Sequence, residues 1–147
     1  MPGLFWAIAI LTHFPVQKIV SGGQTGVDRG ALDAEIALGV EHGGYCPRGR
    51  IAEDGSIPEM YQLTETTSAD YAVRTERNVV TSDGTLILYR ESLSGGTELT
   101  RRLAKKHDKP FLLVDLTNHP DPQQVRDWAL ENTIEVLNVA GPRESSS

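Results

Sequence analysis

Three short glycine-bearing loops are the part of this sequence whose residue types point to chemistry. They are residues 21–26 (SGGQTG), 94–98 (SGGTE) and 141–145 (GPRES). Glycine lets a backbone approach a ligand closely, and the free N–H groups at the start of a helix attract anions. Each loop follows a run typical of a β-strand, and the first two also precede a helical pattern. The sequence therefore predicts three loops that bind a phosphate-bearing small molecule.

Side chains in and beside these loops add donors and cations to the predicted site. A guanidinium group such as that of Arg143 can bind phosphate through two parallel hydrogen bonds. Structural roles compete with this prediction, because each loop could be a turn without a ligand, the third could be a solvated tail, and Glu98 could complement the helix dipole. The candidate ligand-binding residues are Gly22, Gly23, Gln24, Thr25, Gly26, Arg29, Arg48, Gly95, Gly96, Thr97, Glu98, Gly141, Arg143 and Ser145.

The residue patterns assign no catalytic or metal-binding residue. The first loop lacks the lysine of a Walker A motif and the spacing of the dinucleotide-binding motif. The four histidines are scattered along the chain without ligand spacing, and Cys46 is typical of a small buried filler. Asp28, Asp83 and Glu98 remain as candidate acids or bases, although Asp28 is equally suited to cap a helix.

The elements that must position the loops alternate between strands and helices. Continuous apolar runs are typical of parallel strands that are buried on both faces. The alternation predicts a single Rossmann-like, doubly wound α/β domain with a mostly parallel sheet of about five strands. Strands are expected at residues 18–21, 85–90, 111–116 and 134–139, with shorter ones within 40–46 and 61–66. Helices are expected at residues 28–38, 97–106 and 121–132, and a further one is expected to run to about residue 80 from a cap at Ser68 or Asp70. Residues 47–58 are expected to form a long loop.

The expected helix that ends near residue 80 has one apolar and one polar face. The polar face carries Arg74, Arg77 and Asn78 at i, i+3 and i+4 spacing, which is typical of a solvated surface, with a role in a pocket as the less favoured alternative. The residues expected to face the core are Ala72, Val73, Val79 and Val80.

Composition bounds the classes of function. A chain of 147 residues with 39% hydrophobic residues is expected to form one domain. Its formal net charge of −6 argues against a nucleic-acid partner. One cysteine fits a reducing compartment, so a cytoplasmic location is predicted. The apolar residues 4–11 are too few to span a membrane, so residues 1–16 are predicted to be an N-terminal extension: a packed segment, an oligomer contact or an over-long start.

Taken together, four segments resemble the putative molybdenum carrier family. They are SGGQTGVDRGALDAEIALG, GGYCPRGRIAEDGSIPEMY, SDGTLIL followed by SGGTELT, and LNVAGPRES. The resemblance spans roughly residues 19–145. This family lies among the LOG-like, YpsA-related (SLOG) Rossmannoid proteins. The resemblance implies a Rossmann-like fold, a homo-oligomer and a pocket formed by the three loops. It further implies that the ligand is the molybdenum cofactor or a nucleotide-like phosphorylated compound, bound without conversion.

The same superfamily also contains enzymes, so an enzymatic function remains an alternative. LOG-type phosphoribohydrolases carry a PGGxGTxxE motif, whose glutamate helps to cleave an N-glycosidic bond. Here the loop is shorter, and Glu98 directly follows Thr97. The predicted function is therefore a binding protein for a phosphorylated small molecule, of the molybdopterin-carrier type. The alternatives are a nucleotide-processing enzyme, which would hydrolyse an N-glycosidic or phosphate bond, and a nucleotide-sensing module.

Overall fold

The computed structural model describes residues 15–93, 95–118 and 120–146. Most of the predicted N-terminal extension and Ser94 of the second loop lie outside the described residues. The strands are β1 (Lys18–Val20), β2 (Glu41–Gly43), β3 (Tyr45–Cys46), β4 (Ile51–Ala52), β5 (Gly55–Ser56), β6 (Thr64–Glu65), β7 (Gly84–Tyr89), β8 (Phe111–Asp115) and β9 (Val136–Ala140). The helices are α1 (Val27–Leu38), α2 (Tyr71–Thr81), α3 (Gly95–Lys106) and α4 (Pro122–Glu131). Of these described helices, none is long and apolar enough to cross a membrane.

Five of the strands form a central sheet in the order β2-β1-β9-β7-β8. Every neighbouring pair in it is parallel, which confirms the predicted doubly wound α/β fold. The steps from β1 to β2 and from β7 to β8 run toward opposite edges of the sheet. Because parallel crossovers are right-handed, α1 and α3 cover opposite faces.

The last strand of the chain occupies the middle of the sheet. A doubly wound sheet usually begins with the order 3-2-1-4-5, and this sheet has that order if β9 is counted as its first strand. The chain therefore reaches the point where the strand order reverses only at its end. The loop after β9 is placed there between the loops that follow β1 and β7, at the edge where doubly wound proteins bind ligands.

Apolar packing holds the helices on the sheet. A main cluster joins Ile19, Leu86 and Leu137 of the sheet to α1 and α4, through Val27 and Ala129 among others. A second cluster lies under the segment that links β2 to α2, and Cys46 is fully buried within it, as predicted. The remaining helices, α2 and α3, pack against each other.

The segment between β2 and α2 has more structure than its sequence indicates. The strand expected within residues 40–46 is divided at Gly44, which has a φ of +126° and sits where a Cβ would lie 2.2 Å from the carbonyl oxygen of Ser21. The expected loop of residues 47–58 contains the antiparallel pair β4–β5. The Arg50 guanidinium closes this segment by donating to the carbonyl oxygens of Pro58 at 2.8 Å and Tyr61 at 2.9 Å.

Helix α2 begins where a cap predicts it, but its buried face is not the expected one. The Asp70 carboxylate accepts a hydrogen bond from the Ala72 N–H at 2.9 Å and caps the helix. Val79 is buried as predicted, whereas Val73 and Val80 are exposed. Two polar residues of the face that was expected to be solvated, Arg74 and Asn78, are buried instead. The polar side of α2 therefore faces the interior, where the cleft lies.

Candidate functional site

A cleft of about 390 Å³ opens where β1, β9 and β7 end. Cavities of this size are typical of sites for small molecules. Each of the three glycine loops contributes to its walls, although the loops are far apart in the sequence. The predicted site residues that line the cleft are Gly22, Gln24, Gly95, Gly96, Thr97, Gly141 and Arg143.

The start of α3 presents open backbone to this cleft. Apart from its chain neighbours and the backbone of the helix itself, a Cβ added at Gly95 or Gly96 would meet nothing within 4 Å among the described residues. Gly95 has a φ of +51°, a conformation that favours glycine. The first N–H groups of a helix have no partner within the helix, and they carry the positive end of its dipole. This end of the cleft can therefore take an anion directly on the backbone.

The loop after β9 lies against the first turn of α1. A Cβ at Gly141 would lie 2.6 Å from the Cβ of Val27, so only glycine lets the two segments approach this closely. The Val27 N–H donates to the carbonyl oxygen of Pro142 at 3.2 Å. The half-exposed Arg143 side chain follows directly, with its Nε 3.8 Å from a carboxylate oxygen of Glu53.

Some predicted site residues support the loops from outside the cleft. Gly23 packs against Leu63 and Ile57, and a Cβ at Gly26 would lie 2.5 Å from the Pro142 carbonyl oxygen. The hydroxyl groups of Thr25 and Ser145 both donate to the Glu53 carboxylate. These residues hold the first and third loops to each other and to the β4–β5 turn.

Three further predicted residues also lie outside the cleft lining. Arg29 donates to the Gly23 carbonyl oxygen at 3.0 Å and forms an ion pair with Asp54. Arg48 is exposed in the turn after β3. Glu98 pairs with Arg101 on α3 at 2.5 Å, so its carboxylate serves the helix surface.

Helix α2 forms a wall of the cleft, which is the less favoured of the two roles expected for its polar face. The Arg74 guanidinium donates to the Gly22 carbonyl oxygen at 2.6 Å and stacks over the Tyr71 ring at 5.3 Å. A Cβ at Gly22 would lie 2.3 Å from Arg74 Nη1, so a side chain there would displace the guanidinium group. Asn78 accepts from the Tyr45 N–H at 2.7 Å and donates to its carbonyl oxygen at 3.0 Å. The i, i+4 spacing of Arg74 and Asn78 was the signal that could have identified this wall.

A buried amide lies at the floor of the cleft. Asn138 lies in the middle of β9, is buried, and donates to the Thr85 hydroxyl at 3.3 Å. Its neighbours Leu137 and Val139 face the apolar cluster. A single polar residue inside an apolar strand was the sequence signal for this position.

Of the three candidate acids or bases, only Asp28 lines the cleft. Burial raises the pKa of Asp28 to about 6, against the lowering effect of Arg74 and of backbone hydrogen bonds from Gln24 and Gly22. The hydrogen bond from Arg101 lowers the pKa of Glu98. Asp83 accepts from the N–H of Val136 at 2.8 Å, at the opposite end of the sheet. Within the described ranges, no three His, Cys, Asp or Glu residues are placed to hold a metal ion.

Comparison with solved structures gives a close relative. The crystal structure described as that of a putative molybdenum carrier protein from Syntrophus aciditrophicus SB is 46% identical to this chain, with a TM-score of 0.87. The match covers 90% of this chain and 85% of the relative. The structure of (E)-4-hydroxy-3-methyl-but-2-enyl diphosphate reductase matches at a TM-score of 0.36 and 10% identity, which is too weak to carry an argument. No curated protein matches the chain.

A family model accounts for the unusual place of the central strand. Residues 19–147 match the circularly permutated YpsA SLOG family. Circular permutation is what the sheet shows, since β9 supplies the first strand of the usual order from the end of the chain. The matched region spans nearly the whole sequence and includes all three glycine loops. The chain therefore belongs to the circularly permutated YpsA SLOG family, as its resemblance to the molybdenum carriers implied.

Proposed function

We propose that this chain binds a phosphorylated small molecule in the cleft and carries it without converting it. The observation that supports this best is the start of α3, where Gly95 and Gly96 leave room for a ligand against the backbone. Backbone N–H groups at a helix start bind phosphate without needing a cationic protein surface. The net charge of −6 is therefore compatible with an anionic ligand.

Two guanidinium groups favour an anion in the same cleft. Arg74 is buried in its wall, and its position is held by the Gly22 carbonyl oxygen and the Tyr71 ring. Arg143 lies at its mouth, within reach of Glu53 but still half exposed. An Arg held in place loses little freedom when it meets a phosphate. We infer that Arg143 exchanges its long contact with Glu53 for a phosphate oxygen when the ligand binds.

The relative from Syntrophus aciditrophicus suggests the kind of ligand. That protein is described as a putative molybdenum carrier. A molybdopterin-type cofactor is a pterin with a phosphate group, so it could bring the anion that the start of α3 favours. We therefore propose such a pterin phosphate as the ligand, with a nucleotide as the alternative. We also expect a homo-oligomer in the cytoplasm with no nucleic-acid partner, which light scattering and cell fractionation would test.

One observation favours hydrolysis as a second candidate function. Asp28 is a buried carboxyl group in the cleft, and burial raises its pKa to about 6. A carboxyl group with such a pKa can donate or accept a proton near neutral pH. Glu98, which the comparison with LOG-type hydrolases singles out, is held by Arg101 instead. If the protein is a hydrolase, Asp28 is therefore the candidate acid or base.

Native mass spectrometry of the protein purified without added ligand tests the proposal. If the bound compound carries phosphate and is released with its mass unchanged after prolonged incubation, the result supports a carrier. Calorimetric titration with each phosphorylated compound and its dephosphorylated form would show whether affinity depends on the phosphate. Conversion of the bound compound to a free base or to inorganic phosphate would favour hydrolysis. Equal affinity with and without the phosphate group would contradict the proposal.

A further inference from the structure

The amide group of Gln24 has a defined orientation in the cleft. Its Oε1 accepts hydrogen bonds from the N–H groups of Thr25 at 3.1 Å and Glu53 at 2.9 Å. Backbone N–H groups only donate, so the atom that they contact must be the amide oxygen. The Nε2 group then lies on the other side of the amide, and it makes no hydrogen bond to a described residue. Gln24 lines the cleft, so Nε2 offers it a donor.

The Asp28 carboxylate lies against the backbone of Gln24, and both side chains line the cleft. Its Oδ2 accepts from the backbone N–H of Gln24 at 3.2 Å. A carboxylate has about four acceptor positions on its two oxygens, so positions remain for a ligand. Burial raises the pKa of Asp28 to about 6, while Arg74 and Arg29 oppose that rise, and the group is therefore mostly ionised at neutral pH.

The two side chains together present a fixed pattern of acceptors and a donor. A ligand edge that fits has two adjacent donors followed by an acceptor. The 2-amino-4-oxopyrimidine ring has such an edge: its amino group and ring N–H donate, and its carbonyl oxygen accepts. Guanine and pterin share this ring. Adenine lacks it, since its edge pairs one amino donor with a ring nitrogen that accepts.

We propose that Asp28 and Gln24 recognise the 2-amino-4-oxopyrimidine edge of the ligand, with Asp28 accepting from its two donors and Gln24 Nε2 donating to its carbonyl oxygen. This inference rests on the phosphate-binding function proposed above, and it narrows the ligand to guanine nucleotides and pterin phosphates. Selectivity follows from burial. A ligand without the two donors leaves the remaining acceptor positions of a buried carboxylate unfilled, and that penalty disfavours it.

Calorimetric titration with four phosphorylated compounds tests the inference. They are GMP, IMP, AMP and a pterin with a phosphorylated side chain. GMP and the pterin phosphate should bind about ten- to hundredfold more tightly than AMP. IMP keeps the ring N–H and the carbonyl oxygen but lacks the amino group, so its affinity should lie between those of GMP and AMP. Comparing the affinities for GMP and the pterin phosphate shows whether the recognised ring belongs to a guanine nucleotide or to a pterin.

Two substitutions assign the selectivity to these side chains. Asp28→Asn replaces an acceptor by an amide N–H and should bring the affinity for GMP down to that for AMP. Gln24→Glu keeps the oxygen that Thr25 and Glu53 contact but removes the donor, and it should weaken GMP and IMP alike. Asp70→Asn is the matched control, because it removes one negative charge from an exposed carboxylate at the cleft and still caps α2. It should leave the ratio of GMP to AMP affinity unchanged, and thermal melts would check that each variant folds.

The possible failures separate the two proposals. If the wild-type protein binds GMP, IMP and AMP equally, or if Asp28→Asn keeps the preference for GMP, the edge recognition is wrong while phosphate binding stands. If neither these compounds nor inorganic pyrophosphate binds, the phosphate-binding function and the edge recognition both fail.

Discussion

Ser145 and Glu53 are joined by two hydrogen bonds, although they stand 92 residues apart in the chain. The Ser145 hydroxyl donates to Glu53 Oε1 at 2.5 Å, and its backbone N–H donates to Oε2 at 3.2 Å. The same carboxylate accepts from the Thr25 hydroxyl, which in turn accepts from the Glu144 N–H at 3.2 Å. One exposed carboxylate therefore ties the last residues of the chain to the loop after β1. The sequence predicted that Ser145 binds phosphate. Because its hydroxyl and its N–H both contact Glu53, we propose that Ser145 instead positions Arg143.

Glu53→Ala should loosen the loop after β9 and weaken phosphate binding severalfold. The substitution removes the acceptor of three donors, so the amides of residues 143–145 should exchange hydrogen faster. Hydrogen-exchange mass spectrometry and calorimetric titration with a phosphorylated ligand would measure both effects. Glu59→Ala is the control, because Glu59 is exposed in the same segment and outside the cleft lining. Unchanged exchange in the Glu53 variant would show that the loop holds its position by packing alone.

Gly96→Val should abolish phosphate binding and leave the fold intact. The new side chain would occupy the space in front of the α3 backbone, where the added Cβ meets no described residue beyond its chain neighbours and the helix backbone. Arg143→Ala should cost less, about tenfold in affinity, because it removes one charge-assisted contact while the backbone donors remain. Calorimetric titration with a phosphorylated ligand would rank the two variants.

Gly141→Val is the contrasting variant for this ranking. Its Cβ would lie 2.6 Å from the Cβ of Val27, so it should destabilise the protein as well as disturb binding. Thermal melts should show a lowered melting temperature for Gly141→Val and an unchanged one for Gly96→Val. Undiminished affinity in both Gly96→Val and Arg143→Ala would mean that the loops are turns without a ligand.

The sheet and its loops could be predicted because their signals are local. The apolar run of β7 and the glycines after β1 and β7 are visible without tertiary information. The orientation of α2 is different. This helix has apolar residues on more than one side, so its sequence favoured a solvated position for Arg74 and Asn78 over a role in a pocket. In the structure these two residues are buried on the side of the cleft. Only the packed structure decides which side of such a helix faces inward.

The supporting contacts of the site were also beyond local patterns. Glu53 reaches Ser145 across most of the chain, and no spacing rule joins two such positions. The two-residue strands β3 and β6 pair only because the chain folds back on itself, and strand propensity says little about such short pairs. Arg29 was predicted to bind the ligand from its place beside the first loop, and no local pattern indicated its ion pair with Asp54 of the β4–β5 turn.

The preference for GMP over AMP should decline as the pH falls through about 6. Burial raises the pKa of Asp28 to about 6, with Arg74 and Arg29 as the charged groups that oppose the rise. A protonated Asp28 loses an acceptor for the ring, whereas both nucleotides carry the same phosphate, so the ratio of their affinities isolates the carboxyl group. Titrations at pH 5 and pH 7.5 would measure it. A ratio that is the same at both values would contradict ring recognition by an ionised Asp28.

Glu35 should make the protein less stable as the pH rises. Its carboxyl group is fully buried in α1, neither oxygen has a hydrogen-bond partner among the described residues, and burial raises its pKa from 4.5 to about 9. Between these values the folded state holds a proton that the unfolded state has released. The free energy of unfolding therefore falls with pH in this window, by up to about 1.4 kcal/mol per unit for one group. Below pH 4.5 both states are protonated, and the destabilising effect is absent.

Glu35→Gln keeps the shape of the side chain and removes its titration, so it isolates this effect. Urea unfolding at pH 5, 6.5 and 8 should show a flatter pH dependence than the wild-type protein, with the variant more stable at pH 8 because no group must hold a proton there. Part of the slope should remain, since burial also raises the pKa of Asp28 and shifts stability in the same direction between pH 3.8 and about 6. Glu41→Gln, at an exposed position 3.8 Å from Lys18, controls for the lost charge. If Glu35→Gln and the wild-type protein lose stability in parallel as the pH rises, Glu35 is ionised in the folded protein.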